Sequence, residues 1–63
     1  MTIGEKLKIL REEKGKSITE MAQELDLTRQ AIHNYETDIR VPRDEIKVKI
    51  AKYHNRSVEE IFF

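Results

Sequence analysis

The stretch from Ser17 to Glu36, SITEMAQELDLTRQAIHNYE, leaves this chain few choices, because it holds two short amphipathic segments with almost nothing between them. Ser17 is a favoured helix N-cap, and Glu20 stands three residues on, where a capping box needs it. Met21, Ala22 and Leu25 then recur at helical spacing as one apolar stripe. Asp26 breaks the pattern, and Asp tolerates a left-handed backbone better than most residues with a side chain. Thr28 restarts the chain as an N-cap, and Ile32 with Tyr35 carries the next inward face. The outward residues of this second segment, Arg29, Gln30, His33 and Asn34, all carry hydrogen-bonding groups.

The rest of the chain reads as helix too. Thr2 with Glu5 forms a capping box before a stripe of Ile3, Leu7 and Leu10. Gly4, inside that first turn, weakens the helix a little. Lys14 suits its last turn, and Gly15 suits the left-handed position that ends it. Residues Thr37 to Val41 form a loop, after which Pro42 fits the first turn of a fourth helix. Ile46, Ile50, Ala51 and Tyr53 give that helix its inward face, and Asn55 with Arg56 breaks it. Ser57 with Glu60 is a third capping box, opening a short helix that turns Val58, Ile61 and Phe62 inward. No strand pattern, repeat or linker interrupts the series. The expected fold is all-α, a compact bundle of five short helices forming one domain over residues 1–63.

Composition narrows the functions open to such a bundle. Sixty-three residues without cysteine lie near the lower limit for a self-supporting core, with no disulfide or thiolate metal site to help. No apolar run is long enough to span a membrane, and the start lacks a signal-peptide core, so a cytoplasmic protein is expected. His33 and His54 stand on different helices with no metal-ligand cluster around them, so neither a metal nor another cofactor is expected. There is no nucleophile–base set, phosphate loop or acidic metal cluster, so the chain does not read as an enzyme. Twelve basic and twelve acidic residues cancel, which argues against non-specific coating of nucleic acid. A local excess of base between Thr28 and Arg43 is small: Arg29, Arg40 and Arg43 against Glu36 and Asp38.

A helix, a tight turn and a second helix is the unit that lays its second helix in the major groove of DNA. Thr28, as N-cap, puts Arg29 and Gln30 at the end that enters first, and Asn34 lies four residues beyond Gln30 on the same face. Arg pairs with guanine, and Gln or Asn with adenine. Arg29, Gln30, His33 and Asn34 are therefore the candidate base contacts; the alternative is a solvated polar face. Thr28, Thr37, Arg40, Arg43 and Lys16 are the candidate phosphate contacts. Val58, Phe62 and Phe63 supply more apolar surface than one short helix needs, and the surplus, Phe63 above all, suits a dimer interface.

In this order the residues resemble the lambda-repressor-like helix-turn-helix family, the Cro and phage-repressor type. The resemblance runs from IGEKLKILREEKG to SVEEIF and is densest in SITEMAQELDLTRQAIHNYE. Ala22 matches the family's small residue between the two helices, Ile32 its branched core residue, and Pro42 the proline after its loop. Arg11 and Glu36 match an ion pair that joins the ends of helices one and three and sets Arg11 near a phosphate. Three positions depart from the pattern. Asp26 stands where Gly is usual, Ile18 where Gln is usual, and Asp44 and Lys47 where leucines are common. The resemblance implies a sequence-specific regulator of transcription, most often a repressor, bound as a homodimer to a pseudo-palindromic operator in double-stranded DNA. A second reading is a protein-interaction module on the same fold, an antitoxin or an antagonist of another regulator. The neutral charge and the apolar C-terminus motivate it.

Overall fold

The computed structural model describes all residues from Met1 to Phe63 and contains five α-helices and no strand. These are α1 (Ile3–Glu13), α2 (Ile18–Leu25), α3 (Arg29–Glu36), α4 (Asp44–Tyr53) and α5 (Val58–Phe62). α1 packs on α3 and α5, α2 on α3 and α4, and α4 on α5. The three capping boxes form as their sequences require, with Thr2, Ser17 and Ser57 each exchanging bonds with the Glu three residues on. Thr28 caps α3 by accepting from the backbone N–H of Ala31.

The first four helices all stop in the same way. A residue in the left-handed region follows each: Gly15 (φ 72°), Asp26 (φ 57°), Asp38 (φ 63°) and Asn55 (φ 56°). The next N–H in each case reaches back five residues, from Lys16 to Arg11, Leu27 to Ala22, Ile39 to Asn34, and Arg56 to Ala51. This motif satisfies carbonyls that a helix end would otherwise strand. Asp26 thus performs the turn as expected of it, and Asx residues take three of the four left-handed positions, as their tolerance predicts.

Leu7, Met21, Ala22, Leu25, Ile32, Ile50, Ala51, Ile61 and Phe62 form the core. Ile3, Leu10, Tyr35, Ile46, Tyr53 and Val58 pack partly buried around it. The inward faces read from spacing are therefore the ones used.

Three expectations need correction. Pro42 is not in the first turn of α4: the N-cap is Arg43, and Pro42 lies buried just before it. Gly4 is a contact point and not merely a weak residue. A Cβ there would stand 2.4 Å from the carbonyl oxygen of Glu36 and 2.8 Å from the carboxylate of Asp38. Phe62 is unavailable for dimerisation because it belongs to the core, and Val58 is half-buried; of the three apolar residues at the C-terminus only Phe63 stands open, at 84 % exposure. Lys47, where the family favours leucine, lays its ammonium over the rings of Phe62 and Phe63 and 3.8 Å from the Asp44 carboxylate, so its stem covers core while its charge keeps a partner.

Candidate nucleic-acid interface

Two clamps fix where α3 lies. The Arg11 guanidinium donates from Nε and Nη2 to both carboxylate oxygens of Glu36, at 2.7 and 3.1 Å, and from Nη1 to the carbonyl of Lys16 at 2.7 Å. Both side chains are largely buried, and the Glu36 hydrogen bonds raise the arginine's affinity for its proton further. At the other end of α1, Asp38 accepts from the Gly4 N–H at 2.9 Å and the Thr2 hydroxyl at 2.7 Å. Those two bonds hold the Asp38 carboxyl below its usual range. The C-terminal end of α3 is thus tied to both ends of α1, and Gly4 lets the two backbones approach.

With α3 held there, its starting residues face outward. Arg29, Gln30 and His33 are exposed. Together with Arg11, Ser17, Ile18 and Thr19 they line an open cleft of about 530 Å³ between the beginnings of α2 and α3. The backbone N–H groups of Ile18, Thr19, Arg29 and Gln30 take no acceptor within the protein. First-turn donors left free at a helix N-terminus favour an anion. The cleft therefore combines cations, free amide donors and side chains of mixed hydrogen-bonding character.

The base-contact candidates divide. Asn34 is half-buried, and its side-chain oxygen accepts from Gln30 Nε2 at 2.9 Å. It thus holds the Gln30 amide while its own backbone carbonyl receives Ile39 and Arg40. Among the phosphate candidates, Thr28 uses its oxygen as acceptor for the cap, which leaves the hydroxyl proton free to donate. Thr37 is exposed, but its hydroxyl donates to the carbonyl of His33 at 2.8 Å. Lys16 pairs with Glu24 at 2.9 Å, and Glu24 also accepts from the Tyr53 hydroxyl. Burial, then that bond, pushes the Tyr53 pKa up to about 12, while the Tyr53 and Lys16 bonds hold Glu24 low. Arg40 and Arg43 are exposed and carry no ion pair.

The charge objection raised by composition weakens accordingly. Glu36 is neutralised by Arg11, and Asp38 faces the start of α1, so Arg29, Arg40 and Arg43 are left without carboxylate partners. Sequence reasoning missed Ser17 and Thr19 as cleft residues. The capping box that opens at Ser17 places both at the start of α2, and the short turn after Leu25 is the signal that brings this start near that of α3.

His54 caps the end of α4 half-buried, and its buried Nε2 has no hydrogen-bond partner. No group of residues suited to hold a metal occurs, and no helix is long and apolar enough to cross a membrane.

A family model described as helix-turn-helix matches residues 7–61. A search of curated proteins and a search of solved structures each found no match.

Proposed function

Taking as premise that this chain belongs to the Cro/C1-type helix-turn-helix family of DNA-binding regulators, we propose that it represses transcription by occupying a specific operator. The observation that carries this reading is the exposed edge of Arg29, Gln30 and His33 above the cleft at the two helix starts. In the proposed complex α3 lies in the major groove, with Arg29 and Gln30 on base edges and His33 beside them. Asn34 acts through Gln30, orienting its amide. Thr28, Arg40, Arg43 and the free N–H groups of α2 hold phosphates, whereas Lys16 and Thr37 contribute less because their polar groups are already engaged. Arg11 positions α3 through Glu36 and offers the cleft its remaining N–H groups.

Two copies, meeting through Phe63, place two recognition helices on half-sites of a pseudo-palindrome about one helical turn apart. Control in this reading runs through operator occupancy, autoregulation or a protein antagonist. The work is cytoplasmic, beside the chromosome. The neutral net charge and the open Phe63 favour a second reading, a protein-interaction module that has kept the fold.

Selection of bound sequences from a random duplex pool at physiological salt separates the two. An enriched inverted repeat supports the operator reading and its symmetry together. Recovery no better than for a scrambled pool rejects it in favour of the interaction module.

A further inference from the structure

A second groove, of about 380 Å³, opens beside the loop that follows α3 and is lined by Leu27, Tyr35, Arg40, Val41, Arg43 and Ile46. We propose that it docks an acidic, apolar-faced segment of a protein antagonist, in competition with DNA. The inference rests on the reading above, in which Arg40 and Arg43 hold phosphates, and adds to it the place where that contact is contested.

Charge is the first argument. Both arginines are without carboxylate partners, and no acidic residue lines the groove. A phosphate backbone would answer that need alone. The second argument is the apolar surface, which DNA does not answer. Val41 is 68 % exposed, while Leu27, Tyr35 and Ile46 along the groove are only half-buried. A sugar–phosphate strand asks for cations and hydrogen-bond donors. A branched aliphatic held open in a loop beside such a row gains free energy when another apolar surface covers it. A segment pairing Asp or Glu with Leu, Ile or Phe meets both conditions, carboxylates on the arginines and side chains over Val41. The same two arginines cannot hold a carboxylate and a phosphate at once, so segment and duplex exclude each other.

The test is a display selection of random dodecapeptides against the folded 63-residue chain. Enriched peptides are expected to combine acidic and apolar residues. Their affinity should fall about tenfold in Arg40→Ala/Arg43→Ala and again in Val41→Ser. The operator duplex recovered from the random pool should displace them. Each substituted side chain is exposed, and helical circular dichroism is the check that the variants fold.

Several results overturn the proposal. One is no peptide enrichment; another is enriched peptides indifferent to all three substitutions. A third is a dimer in solution that Val41→Ser dissociates, which would make the groove a self-interface. A fourth is a loss of duplex affinity in Val41→Ser as large as in Arg43→Ala, which would give the apolar rim to DNA. A protein that selects an inverted repeat but no peptide loses this inference alone. One that selects peptides but no duplex loses the operator reading and the claim of competition.

Discussion

Replacing Gly4 by Ala reverses the usual sign of a familiar substitution. Within a helix that exchange ordinarily stabilises by roughly 0.5–1 kcal/mol, because the unfolded chain loses freedom it would otherwise have kept. Here the added methyl would stand 2.4 Å from the Glu36 carbonyl oxygen, and ordinary contact begins near 3.4 Å. One backbone must retreat by about 1 Å, and neither is free to do so. The Glu36 side chain is bound by Arg11, and the loop beyond it is bound through Asp38. Overpacking of this kind costs about 1–3 kcal/mol. At the midpoints of those two ranges, a net loss of about 1 kcal/mol remains. In a domain of this size that lowers Tm by roughly 4–8 °C. Urea unfolding followed by circular dichroism measures it. A Gly4→Ala protein as stable as the parent, or more so, would show that α1 and α3 do not need this approach, and that the reasoning is wrong.

Breaking the other clamp should cost more: Glu36→Gln leaves the Arg11 guanidinium largely buried without its counter-charge, a loss of about 3 kcal/mol in urea unfolding. Equal stability in that variant would mean that the pair is solvated. Stability should also fall with acid in two stages. Burial first, then the flanking Lys14 and Arg56, keep the His54 pKa below its ordinary value. The unfolded chain therefore takes that proton first, and stability declines once pH drops below about 6.5. Lower still, Glu5, Glu20, Glu24, Asp38 and Glu60, each held low by the bonds it accepts, lose their contribution as pH passes down through their folded values. His54→Gln should remove the first stage of the urea-midpoint profile and leave the second. In duplex titrations, Lys16→Ala should weaken binding less than Arg43→Ala, since Glu24 already engages the lysine; the reverse order would place Lys16 on the phosphates.

What the chain made legible was local chemistry. Capping boxes at Thr2, Ser17 and Ser57 marked three helix starts, and Gly15, Asp26 and Asn55 marked three ends, because each device acts within a few residues of itself. Asp38 went unread as a helix terminator, since its left-handed backbone is supported from α1, more than thirty residues away. Gly4 was misread for the same reason: its need is set by the Glu36 carbonyl, which spacing along α1 does not announce. The engagement of Glu24 by Tyr53 likewise depends on α2 and α4 meeting in space. The division of Phe62 from Phe63 turned on one residue of register in a helix too short to show a period. Outward polar faces could be read from sequence, but which of their groups remained uncommitted could not.

Repeating the duplex selection with Gln30→Ala puts the account at most direct risk. If the start of α3 reads base edges, the substitution should relax preference at one position of each half-site and cost about 1–3 kcal/mol there. Uniform weakening across all sequences, with the preferred site unchanged, would show instead that Gln30 touches only the backbone and that this edge does not carry the specificity.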